Sequence, residues 1–121
     1  MKIIISLILL LSVEALAIPT NPVNWGGDPG MDACGGMGLT MAESIMITVS
    51  QKGEVSFDTI VPAGTRVSFC DYDISGYHGV LIHEDGAECG GGSAIVPVKE
   101  PYSGPCKSGW IKEAFLELLA G

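Results

Sequence analysis

The first seventeen residues limit the fold most, because they predict that the remainder folds as a small exported domain. Lys2 supplies a short positive region, residues 3–13 are almost wholly apolar, and Ala15-Leu16-Ala17 has the small-x-small pattern of a cleavage site. The apolar stretch is shorter than the roughly twenty residues needed to cross a bilayer. We therefore predict a signal peptide at 1–17 and a secreted, extracellular product without a membrane span.

Size and charge restrict the remaining chain further. Cleavage leaves about a hundred residues, enough for one domain with one modest core. The sequence has 14 acidic and 6 basic residues, a net charge of −8. So few basic groups cannot neutralise a string of phosphates or dock on anionic lipid, which argues against binding of nucleic acid or membrane surfaces. We expect no cofactor.

Four cysteines, Cys34, Cys70, Cys89 and Cys106, follow the predicted signal peptide. Their spacings of 36, 19 and 17 residues contain no C-x-x-C pair, which disfavours a zinc site. In an oxidising compartment an even number of cysteines predicts two disulfides. Three connectivities are open. The pairing of Cys34 with Cys106 and Cys70 with Cys89 is favoured, because it joins the domain ends and closes one unit of neighbouring strands.

The spacing of apolar residues predicts a β-rich domain at 43–121. The Gly/Pro-rich N-terminal segment 18–42 is expected to be irregular. Alternation at 45–49 and 55–57 around Lys52-Gly53 predicts a hairpin. Further strands are expected at 66–70, 77–84 and 94–98, the last on a sheet edge because of Pro97. Five short strands favour an antiparallel β-sandwich or small barrel.

The end of the chain has a different pattern. Apolar residues recur at helical spacing after Ser108, a residue suited to an N-cap: Trp110, Ile111, Ala114, Phe115, Leu118 and Leu119. We predict an α-helix over 108–120 that packs on the sheet; the alternative is a helix that docks into a partner. The predicted fold class is thus mainly β, disulfide-bonded, with one C-terminal α-helix.

The candidate catalytic and metal-binding groups are few. The two histidines, His78 and His83, are separated by an odd number of residues on one predicted strand, so they face opposite sides and do not share a metal. Asp71 and Asp73 flank a turn near His78, where aspartate usually accepts hydrogen bonds from the backbone. No serine lies in a G-x-S-x-G elbow. We therefore predict no metal site and no hydrolase triad.

One local resemblance points to an enzyme. The stretch Arg66-Val67-Ser68-Phe69, followed by Gly79-Val80-Leu81-Ile82-His83, resembles the sheet of the fungal guanyl-specific ribonucleases. The resemblance implies that Arg66 contacts a phosphate and that His83 protonates the leaving group, with Glu54 as the nearest candidate general base. The long helix of that family is not evident here. A catalytically dead relative therefore fits the sequence better than an active nuclease.

A second resemblance points to a binding module. Residues Tyr72-Asp73-Ile74-Ser75-Gly76-Tyr77-His78-Gly79 are similar to the folded hairpin of βγ-crystallin Greek-key motifs. It implies a calcium- or glycan-binding module and makes Tyr72, Tyr77 and His78 candidate binding residues. A second motif that would complete such a domain is not found.

The preferred interpretation is a secreted, non-enzymatic binding protein. Its short length and sparse cysteines resemble the effectors and toxin-like proteins that fungi secrete towards a host or competitor. The expected partner is an extracellular or host protein or glycan. The alternatives are the ribonuclease and the Greek-key module.

Overall fold

The computed structural model describes residues 17–90 and 95–120. Residues 1–16, which hold nearly all of the predicted signal peptide, lie outside the described part. Across the described ranges, no helix has the length and apolar character required to cross a lipid bilayer.

The described chain is built from β-strands, with two single-turn 3-10 segments at Glu84–Gly86 and Glu113–Phe115. The strands are β1 (Asn24–Trp25), β2 (Gly36–Thr40), β3 (Ser44–Val49), β4 (Val55–Val61), β5 (Arg66–Asp73), β6 (Tyr77–Ile82), β7 (Glu100–Pro101), β8 (Ser108–Lys112) and β9 (Leu116–Ala120).

Seven strands form one sheet in the order β4-β3-β8-β6-β5-β2-β9, and β1 pairs with β7 in a separate ladder. Every pairing is antiparallel. The predicted hairpin is confirmed as β3 and β4, whose turn closes through a hydrogen bond from Gly53 N to Ser50 O at 2.9 Å. Gly53 has φ of +85°, a backbone conformation that glycine adopts without a steric penalty.

The large sheet is curled. Strands β8 and β9 stand four strand positions apart, yet only residues 113–115 connect them. Four positions in a flat sheet span about 19 Å, whereas the four steps from Lys112 to Leu116 extend at most about 14 Å. The sheet must therefore bend so that β9 approaches β8.

The concave side of this curl holds the main core. Buried side chains from β3, β4, β5, β6 and β8 meet there, and partly buried side chains from β5 and β9 pack against them. The buried residues are Met46, Val61, Val67, Val80, Ile82 and Ile111, and the partly buried ones are Phe69 and Leu116. Because Val61 belongs to β4 and Leu116 to β9, the two sheet edges share one apolar cluster. Burial of this cluster explains why the sheet curls.

The convex side is covered by the segments outside the large sheet. Trp110 is only 2% exposed there and packs with Val23 and Ile47, while its indole Nε1 donates to Asn21 O at 2.8 Å. Nearby, the Tyr102 hydroxyl donates to Cys89 O at 2.8 Å. The N-terminal segment therefore contributes to the fold rather than hanging from it.

The structure confirms two disulfides but corrects the favoured connectivity. Cys34 is bonded to Cys70, and Cys89 to Cys106. Cys34 lies two residues before β2 and Cys70 lies on the adjacent β5, while the second bridge joins the segments that follow β6 and precede β8. The order of strands in the sheet decides which cysteines pair, because it places β5 beside β2.

The predicted C-terminal helix over 108–120 is wrong. Residues Ser108–Lys112 form β8, which pairs with β6 along its length and contacts β3 at Ile47. Both sides of this central strand are covered, so the consecutive residues Trp110 and Ile111 are buried on opposite faces. A strand that is buried on both faces does not alternate apolar and polar residues. Its two adjacent apolar residues therefore fit the spacing of a helix equally well.

Two further expectations are corrected. The segment 18–42 is only partly irregular, since β2 (Gly36–Thr40) lies between β5 and β9 in the large sheet. The strand predicted over 94–98 is not found at residues 95–98, and residue 94 lies outside the described part. The nearest strand is β7 at Glu100–Pro101.

Candidate functional site

A cavity of about 690 Å³ opens at one end of the curled sheet. It is surrounded by the ends of β4 and β6 and by the starts of β5 and β8. These strand ends meet at one end of the sheet because antiparallel neighbours run in opposite directions. Its floor is the main core, through Met46, Val61 and Ile82. A cavity of this size with an apolar floor at the mouth of a curled sheet is typical of small-molecule sites.

The turn between β4 and β5 forms the first wall and is fixed by Thr40. The Thr40 hydroxyl donates to Pro62 O at 2.7 Å and accepts from Thr65 N at 2.9 Å. The Thr65 hydroxyl also donates to Pro62 O at 2.7 Å, and Gly64 N donates to Thr40 O at 2.7 Å. Thr40 is only 2% exposed, so this wall is tied to the interior.

The turn at Glu84–Gly86 forms the second wall. Asp85 has φ of +53° and ψ of +31°, Gly86 has φ of +74°, and Ala87 N donates to Glu84 O at 2.9 Å. Two successive positive φ values at Asp-Gly match a type I′ turn, for which this dipeptide is favoured. The first wall is therefore held by hydrogen bonds to Thr40 and the second by its own turn geometry, before any ligand arrives.

Charged side chains line the rim of the cavity: Arg66, Glu84, Asp85 and Lys107. Lys107 Nζ lies 3.3 Å from Glu84 Oε1, and both side chains are well exposed, so the pair adds little stability. Among the described residues, no carboxylate forms an ion pair with Arg66. The guanidinium is thus available to a ligand.

His83 also lines the cavity, but both of its ring nitrogens are engaged. Nδ1 lies 3.0 Å from Ala87 O and Nε2 lies 2.6 Å from Ser68 Oγ. Because a carbonyl oxygen only accepts, Nδ1 donates to Ala87 O, and in the tautomer protonated there Nε2 accepts from the serine hydroxyl. Ser68 is 5% exposed and is not among the residues that line the cavity, so this Ser-His pair has no accessible nucleophile.

The three residues of the ribonuclease interpretation are only partly brought together. Arg66 and His83 line one cavity, and His83 N donates to Arg66 O at 3.0 Å. Glu54 lies in the turn between β3 and β4 and is not among the lining residues. The carboxylates that do line the cavity belong to Glu84 and Asp85.

The candidate binding residues of the second resemblance also separate. The rings of Tyr72 and His78 meet edge to face with centroids 5.1 Å apart, and His78 Nε2 lies 3.5 Å from Glu113 Oε1. Tyr72 is 54% exposed. Tyr77 points to the other side of the sheet, where it packs near Trp110, because neighbours on a strand alternate.

The aspartates near this turn bond to the backbone, as predicted. Asp73 Oδ2 accepts from Ser75 N at 3.0 Å, and Asp71 accepts from Asn24 N and Tyr72 N at 3.0 and 2.9 Å. Within the part of the chain that the structure describes, no group of three or more His, Cys, Asp or Glu side chains is placed to hold a metal ion.

Sequence reasoning missed several residues of the cavity, notably Met46, Thr59, Ile60 and Lys107. These come from β3, from β4 and from the segment before β8, so no local motif identifies them. The Asp85-Gly86 dipeptide was the one usable signal, since it marks a tight turn directly after a strand.

No protein-family model matches the chain, and neither the curated proteins nor the solved structures contain a significant match.

Proposed function

We propose that this protein is an extracellular, non-enzymatic binding protein whose cavity at the mouth of the curled sheet holds the apolar part of a ligand. The observation that carries the proposal is the combination of an apolar floor with two walls fixed by internal hydrogen bonds. A site built before the ligand arrives loses less entropy on binding. The two disulfides are consistent with an extracellular setting.

The arrangement of the polar groups favours binding over catalysis. A general acid or base must reach the proton that it transfers, and both ring nitrogens of His83 already have partners. The nearest hydroxyl to that ring, on Ser68, is buried. A role as an effector or toxin-like protein rests on the sequence resemblance alone.

Titration with a neutral fluorescent probe, N-phenyl-1-naphthylamine, tests the proposal. The probe brightens in apolar surroundings, and we expect saturable enhancement with the wild-type protein. Thr59→Phe fills the cavity from β4 and is expected to weaken binding at least about tenfold, a loss of about 1.4 kcal/mol.

Thr48→Phe is the matched control. Thr48 is a half-buried strand threonine like Thr59, on the neighbouring β3, but it does not line the cavity. Its probe affinity should equal that of the wild type. Equal affinities for the two variants, or no enhancement with the wild type, would refute the proposal.

A ribonuclease of the guanyl-specific kind is the second candidate, because Arg66 and His83 line one cavity. It requires His83 to leave at least one of its present hydrogen bonds. Guanine-specific cleavage of single-stranded RNA that disappears in His83→Ala would establish this activity. Our proposal predicts no cleavage above that of the variant.

A further inference from the structure

We infer that the cavity selects an amphipathic anion, with the apolar body of the ligand on the core floor and its carboxylate on Arg66. This inference rests on the proposed binding function and adds the chemical class of the ligand. Arg66 is the only arginine of the chain and lies at the start of β5, on the rim of the cavity.

The basic groups of the rim differ in what they offer. Lys107 lies 3.3 Å from Glu84 and is already compensated. No carboxylate of residues 17–90 or 95–120 forms an ion pair with Arg66. A guanidinium presents a planar set of donors that matches a carboxylate in two parallel hydrogen bonds. An anionic ligand therefore finds at Arg66 a partner that needs no existing ion pair to be broken, whereas at Lys107 it competes with Glu84.

Asp85 is the other rim charge without an ion pair among the described residues, and it would suit a cation instead. Its presence has a local cause, because the left-handed backbone at this position favours Asp before Gly86. No comparable backbone requirement places an arginine at the first residue of a strand. Turn geometry therefore accounts for Asp85 and does not account for Arg66.

Displacement of N-phenyl-1-naphthylamine by three ten-carbon compounds tests the inference: decanoate, decanol and decylamine. We expect decanoate to bind the wild-type protein at least about tenfold more tightly than either of the others. Arg66→Gln should remove this preference and leave decanol affinity within about twofold. Arg66→Lys, which keeps the charge but not the paired donors, should give an intermediate result.

Lys52→Gln is the control for net charge, because Lys52 lies in the exposed turn between β3 and β4 and does not line the cavity. It should retain the preference for decanoate. Equal displacement by decanoate and decanol, tighter binding of decylamine, or an unchanged preference in Arg66→Gln would each overturn the inference. If the neutral probe still binds in those cases, the proposed binding function survives without it.

Discussion

Single alanine substitutions at Ile111 and Leu118 test whether the C-terminal end forms the strands β8 and β9 or a helix. Both residues would lie on the buried face of the helix that their spacing suggests. In the structure, Ile111 is 0% exposed within the main core, whereas Leu118 on the edge strand β9 is 64% exposed. The two substitutions should therefore differ strongly in their effect on unfolding free energy.

The magnitudes follow from burial. Ile111→Ala removes a fully enclosed side chain and leaves a cavity, at a cost of about 2–5 kcal/mol. Leu118 keeps about a third of its surface out of water, so Leu118→Ala loses about a third of the roughly 1.5–3 kcal/mol that full burial contributes. We expect its loss to stay below about 1 kcal/mol.

Urea unfolding followed by circular dichroism measures both values. With a slope of about 2 kcal/mol per molar urea, a 3 kcal/mol loss lowers the midpoint by about 1.5 M. Ile111→Val, expected to cost about 0.5–1.5 kcal/mol, keeps the test valid if the alanine variant does not fold. Equal losses for Ile111→Ala and Leu118→Ala would refute the assignment of β8 and β9.

Three further predictions test the fold. Peptide mapping without reductant should recover the two disulfides of the structure, and recovery of either alternative pairing would contradict the strand order. Gly109→Ala should destabilise by about 1–3 kcal/mol, because its Cβ would lie 2.5 Å from Met46 Cγ, whereas Gly35→Ala meets nothing within 4 Å and should be nearly neutral. Thr40→Val should lower the unfolding free energy by about 1–3 kcal/mol, since it leaves Thr65 N without its acceptor and removes one of the two hydroxyl donors to Pro62 O, while Thr48→Val should change it little.

The candidate site was only partly visible in the sequence. Arg66 and His83 were singled out through a local resemblance, and the structure places both at the cavity. The same resemblance makes Glu54 the candidate general base, but Glu54 lies in the turn before β4 and not at the cavity. Met46 and Thr59, which face each other across β3 and β4, carry no signal of their own. A cavity formed by several strand ends is a property of strand order, which local patterns do not specify.

The sequence by itself determined the local features whose causes lie within a few residues. Alternating apolar residues around Lys52-Gly53 made the hairpin, and the even cysteine count in a small domain predicted two disulfides. Tertiary structure decided which cysteines pair and whether residues 108–120 become helix or strand. Pairing of β8 with β6 buries Trp110 and Ile111 on opposite faces, and this gain in burial and backbone hydrogen bonds outweighs a weak local helical preference.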